Sequence, residues 1–221
     1  MDWTSLRLSI LLALVTSAIL LPLGTLVARA LARTRVRGRS FVEAALALPL
    51  VLPPTVLGYY LLVGMGAGSP VGALYESVLG RPLAFSFAGL VVASVLFNLP
   101  FAIIPIQRAF EAIPEEVLQA ARVCGMSSWR SLARVELPLA WPGVVSGMVM
   151  TAAHTLGEFG VVLMVGGSIP GETKTVAIAI YDRVQALDMQ GAGVLSAVLL
   201  GVSLLALAFT ARLGRGSRVV G

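Results

Sequence analysis

Few residues in this chain could do chemistry, and their spacing narrows what they could do. The one histidine, His154, stands four positions before Glu158. On a helix the two share a face and can exchange a hydrogen bond or a proton. A hydrolase would need a nucleophile beside such a pair, and no Gly-x-Ser-x-Gly elbow is present. The glycine-rich run Gly166-Gly167-Ser168-Ile169-Pro170-Gly171 is not a phosphate loop, because Lys174 comes three residues too late and no strand precedes it. The single cysteine, Cys124, reads as a small packing residue. An intramembrane hydrolase is therefore the weak alternative, and the chain is expected to be non-catalytic with no cofactor or metal of its own.

The elements that must position these residues follow from composition. Of 221 residues, 57% are hydrophobic and 12% charged, with a mean hydropathy of +0.92. A soluble domain carries about 25% charged residues, so this chain cannot cover a water-facing surface of its size. A cytosolic enzyme domain, a disulfide scaffold and a disordered chain are excluded. Five apolar stretches, near residues 8–28, 41–65, 84–106, 141–166 and 191–211, are each long enough to cross a hydrocarbon core about 30 Å thick. The reading is an all-α integral membrane protein of about five transmembrane helices, with residues 1–221 forming one transmembrane domain.

Charge placement orients it. The net charge of +5 could suggest nucleic acid, but no nucleic-acid partner is expected, because in a membrane protein position outweighs sum. Arg29, Arg33, Arg35, Arg37, Arg39, Arg108, Arg122, Arg130, Arg134, Arg212, Arg215 and Arg218 fall on one side, twelve in all. Arg7, Arg81, Lys174 and Arg183 fall on the other. The twelve-residue side is then cytoplasmic, with the N-terminus outside and the C-terminus inside. The arginines between 29 and 39 read as a topology signal and a contact for anionic membrane lipid.

The longest cytoplasmic segment, about 111–138, carries order of its own. Ile113-Pro114-Glu115-Glu116 reads as a helix start, with carboxylates at the positive end of the dipole. Gly125 stands where a helix stops. Ser127 or Ser128 can cap a second short helix over 129–137 that ends at Pro138. A helix–Gly–helix loop showing Arg122, Trp129, Arg130 and Arg134 is a docking surface.

Gln119-Ala120-Ala121, Gly125 after three residues, and Val135-Glu136-Leu137-Pro138 after nine more are similar to the EAA motif of type I ABC importer permeases. Gln119 stands where Glu is usual and Val135 where Ile is usual; Glu116, nearly one turn earlier, could supply the missing carboxylate. Leu50-Val51-Leu52-Pro53-Pro54-Thr55-Val56-Leu57-Gly58, Asn98-Leu99-Pro100-Phe101, Leu156-Gly157-Glu158-Phe159-Gly160 and Ile169-Pro170-Gly171-Glu172-Thr173-Lys174-Thr175 resemble the molybdate/tungstate branch of that family. The resemblance implies a homodimeric permease of a prokaryotic inner (cell) membrane. It implies two cytoplasmic ATPase subunits that hold ATP and Mg2+, and an extracytoplasmic protein that delivers the anion. A sulfate/thiosulfate permease is the alternative. The docking loop would then use Glu116, Gln119, Ala120, Ala121, Gly125, Arg130, Val135, Leu137 and Pro138.

None of the sixteen basic residues falls mid-span, so the route for a dianion is expected to offer weak contacts that permit release. Candidate route or gate residues are Thr55, Tyr59, Asn98, Ser146, Thr151, His154, Thr155 and Glu158. The His154–Glu158 pair has two readings, an outer gate or an interhelical packing contact. The outer segment 173–186 reads either as a short interfacial helix meeting the delivery protein through Glu172, Lys174, Asp182 and Arg183, or as a plain loop.

Overall fold

The computed structural model describes residues 2–33 and 38–216, without the side chains of 210, 211 and 213–216. Arg35, Arg37 and Arg218 lie outside the described residues, and so does the side chain of Arg215. The described residues form helices and no strands.

Three long helices make the centre: α1 (Trp3–Arg33), α5 (Phe87–Glu111) and α8 (Leu137–Gly157) each pack against the other two. Between α1 and α5 come α2 (Arg39–Val51), α3 (Pro54–Met65) and α4 (Pro70–Leu79). Between α5 and α8 come α6 (Glu115–Val123), α7 (Ser128–Ser131) and a π-helical turn over Leu132–Glu136. After α8 the chain forms α9 (Gly160–Gly166), α10 (Val176–Gln185) and α11 (Met189–Gly216).

The sequence of α1 explains its packing. Its buried face carries Ser5, Ser9, Thr16, Ser17, Gly24, Thr25 and Ala28 among leucines at helical spacing. Its other face shows Ile10, Leu11, Leu14, Leu23 and Leu26. Small residues turned inward and large apolar ones outward is the arrangement of a helix in lipid, where close approach replaces hydrophobic exclusion as the source of association. The α5–α8 contact uses the same device. A Cβ on Gly143 would lie 2.3 Å from the Ala109 Cβ, and one on Gly147 would lie 2.9 Å from the Ala102 carbonyl oxygen. At the loop end Ala28, Leu31, Ile103, Phe110, Leu118 and Leu132 form one apolar cluster, so the loop is packed into the bundle.

Among the described residues, four helical segments are long and apolar enough to span a membrane, or five if the bent pair α2–α3 counts as one. Residues 41–65, expected as a single span, turn by 108° between α2 and α3. Pro54 drives Pro53 into the extended region (φ −55°, ψ 134°), and neither proline has an N–H to continue the ladder. The expected span 141–166 is interrupted too. Glu158 is extended (φ −66°, ψ 128°), α8 stops before it, and α9 begins afresh. Pro138 does not end the loop's second helix as expected. Leu137 N–H bonds the Leu132 carbonyl across the π turn, and Pro138 then sits in the first turn of α8, where no N–H is required. The whole of Ser128–Gly157 is one 30-residue helical segment. Helix α4 was not anticipated, although Ser69-Pro70 is a start signal: the Ser69 hydroxyl accepts the Gly72 N–H at 2.9 Å.

Candidate functional site

The loop is built as a stiff elbow. Helix α6 ends in a paired closure: Met126 N–H bonds the Ala121 carbonyl at 3.1 Å, and Gly125 N–H bonds Arg122 at 2.9 Å. That closure requires the left-handed conformation Gly125 adopts, φ +71°. The Ser127 hydroxyl accepts the Arg130 N–H and starts α7. Leu118 and Ala121 face inward. Glu116, Gln119, Ala120, Arg130 and Pro138 are exposed, and Val135 and Leu137 are half-buried. Val123 and Trp129 are 89% and 69% exposed, so the elbow presents a large apolar tip among Arg122, Arg130 and Arg134. Cys124 is exposed here, which corrects its reading as a packing residue; the Gly125 turn carries it outward.

Sequence reasoning missed how this elbow is tied to α1. Glu136 is 2% exposed. Arg29 grips it twice, Nη2 to Oε1 at 2.7 Å and Nε to Oε2 at 3.1 Å, and Arg33 Nε adds a third bond at 3.3 Å. Arg29 Nη2 also reaches the Ser128 carbonyl at 3.0 Å, and the Ser131 hydroxyl donates to Glu136 at 3.1 Å. The available signal was the one acid in the loop after Arg122, flanked by Val135 and Leu137. Arg29 and Arg33, read as topology and lipid residues, are structural ion-pair partners. A second network joins Arg39 to Glu43 at 2.8 Å and to Glu111, with Gln107 donating to both acids.

The proposed route residues fall into two sets. Thr55 and Tyr59 on α3 are exposed, and Ser146 is half-exposed. Asn98, Thr151, Thr155 and Glu158 are buried inside the bundle. Asn98 Nδ2 donates to the Ser94 carbonyl at 2.8 Å, which leaves Oδ1 as the acceptor for His154 Nδ1 at 3.0 Å. That pairing takes the Nδ1–H tautomer of His154. Its ring stacks on Phe101 with centroids 3.9 Å apart. Glu158 lies 4.0 Å from His154 Nδ1, and its Oε1 instead accepts the Val161 N–H at 3.0 Å, closing the first turn of α9. The helix break thus aims the carboxylate along α9.

At the opposite end of α1, segment 173–186 contains the helix α10, capped by the Thr175 hydroxyl and buried along Val176, Ile178 and Ala179. The Val176 N–H donates to Ser9 Oγ of α1 at 2.8 Å. Lys174 pairs with Asp182 at 2.6 Å, and Arg183 with Asp188 at 2.8 Å, while Glu172 is exposed. The Lys174 ammonium holds the Asp182 carboxyl below its ordinary value. Among the described residues no three His, Cys, Asp or Glu side chains gather as a metal site.

A stiff, exposed elbow on a bundle of apolar helices can receive a soluble partner and pass its movement inward. The family model described as binding-protein-dependent transport system inner membrane component matches residues 6–218. The chain belongs to that family. This permease is 50% identical over 187 residues to the molybdenum transport system permease protein ModB of Azotobacter vinelandii, covering 85% of this chain and 83% of that protein. It is 34% identical over 218 residues to ModB of Escherichia coli K12, covering 98% and 95%. The sulfate transport system permease protein CysT of the same organism is 31% identical over 222 residues, covering 97% and 78%. A crystal structure of a bacterial ABC transporter involved in the import of the acidic polysaccharide alginate superposes with a TM-score of 0.70, covering 98% of this chain and 79% of that one. Identity there is 17%, so the likeness is one of fold. The permease is an all-helical transport component of the ABC importer class.

Proposed function

We propose that this chain is the membrane subunit of an ATP-driven importer that carries molybdate or tungstate into the cytoplasm by alternating access. Two copies enclose the route, as the economical symmetric arrangement for a chain without duplicated halves. Two ATPase subunits, holding ATP and Mg2+, dock on α6 and α7, and a binding protein delivers the anion at the α10 end. The permease makes and breaks no covalent bond. Its N-terminus lies outside, its C-terminus inside. Thr55, Tyr59 and Ser146 are open to a route between copies, whereas His154, Asn98 and Glu158 hold α5, α8 and α9 in register.

The observation that carries the importer reading is the elbow, with its inward face locked into the bundle and Val123 and Trp129 turned out. The choice of anion is supported by the 50% identity to a molybdenum permease against 31% to a sulfate permease.

Cys124 offers a direct test of orientation and docking, since it is the chain's one cysteine and is exposed on the elbow. A membrane-impermeant maleimide should label it in inside-out vesicles and not in intact cells, and bound ATPase should protect it. Labelling from outside the cell would refute the topology and the docking assignment together.

A further inference from the structure

We infer that Glu136 and Arg29 form a clamp that makes α1 the rod joining the ATPase-docking elbow to α10 at the opposite face of the bundle. The inference rests on the docking role proposed for the elbow. Apolar contacts within the cluster that holds Leu31 and Leu132 are non-directional and permit sliding. A two-pronged guanidinium–carboxylate pair fixes both distance and orientation. Here the pair joins residues 107 positions apart, and the carboxylate is buried.

Arg29 also holds both ends of the short helical stretch at once. Nη2 takes the Ser128 carbonyl at the start of α7, and the same guanidinium takes Glu136 where the π turn ends. The elbow's second half and α1 therefore move as one body. Ser9, on the same helix, receives the Val176 N–H that opens α10. A displacement at the elbow thus reaches α10 through one continuous helix with a directional bond at each end. Movement imposed on α10 by a docking protein returns along the same path.

The test uses the intact complex of this chain with its ATPase and binding protein in proteoliposomes. Three quantities are read: basal ATP hydrolysis, its stimulation by anion-loaded binding protein, and anion taken up per ATP. Glu136→Gln should assemble and keep basal hydrolysis while stimulation and uptake per ATP fall roughly tenfold, within the usual range of coupling free energies. Arg29→Lys keeps the charge but loses the two-pronged fork on Glu136, and should show the same split more mildly. The double variant should lose no more than Glu136→Gln alone, because the two residues act as a unit. A purely architectural pair would lower complex yield and all three rates together, with the ratio unchanged. An unchanged ratio in assembled Arg29→Lys and Glu136→Gln complexes overturns the clamp. If wild-type chain fails to bind the ATPase, the docking role itself falls.

Discussion

Two buried polar groups in this permease, Glu136 and Asn98, have partners that set their roles. The Glu136 carboxylate is held by α1, and the Asn98 amide is divided between Ser94 and His154. Asn98→Leu would strand the His154 Nδ1–H against Phe101. A lost bond at an inaccessible site in water costs about 1–3 kcal/mol. Hydrogen bonds between membrane helices average nearer ~0.6 kcal/mol, and the His154 side chain is 31% exposed, so the smaller figure governs. Thermal unfolding in detergent should therefore show a loss of about 0.6 kcal/mol, with the fold kept. The Lys174–Asp182 pair gives a pH signature. Because the folded carboxyl titrates below its ordinary value, the pair's contribution is complete above that value and is lost as pH falls through the depressed one. The stability difference between wild type and Asp182→Asn should be constant from about pH 8 to about pH 5 and shrink only in stronger acid.

Elements were legible where periodicity and length decide them, and illegible where backbone geometry or distant partners do. Apolar runs gave α1, α5 and α11, and Pro114, Gly125 and Ser127 gave the elbow, because local propensities suffice there. The 108° turn at Pro53-Pro54 and the break at Glu158 lie inside stretches that are apolar on average, so hydropathy passes over them. The clamp joins residues far apart in the chain, and spacing alone could not pair them. Two glycines test the elements. Gly125→Val forces a β-branched residue to φ +71°, a strain of about 1–2 kcal/mol or more, with open space around the position. Its loss should appear as ATP hydrolysis uncoupled from uptake, and Gly125→Asn should be tolerated. Gly143→Val instead drives a methyl-bearing carbon into Ala109. Size-exclusion profiles should show aggregated or missing protein, since overpacking of about 1–3 kcal/mol falls on the central helix pair.

Across the molecule many large apolar side chains face outward: Leu14, Val51, Tyr60, Leu74 and Leu205 are all more than 60% exposed. Lipid and, in the proposed dimer, the second copy cover them. Polar order collects at the two ends, the elbow with its clamp at one and the capped α10 at the other, with α1 running between. That layout suits a machine that receives force at one face and opens a route at the other. Uptake of labelled molybdate into proteoliposomes holding this chain, its ATPase and its binding protein, in competition with tungstate and sulfate, tests the account most directly. It predicts ATP-dependent uptake that tungstate suppresses and excess sulfate leaves intact. ATP-dependent sulfate uptake indifferent to molybdate would contradict it.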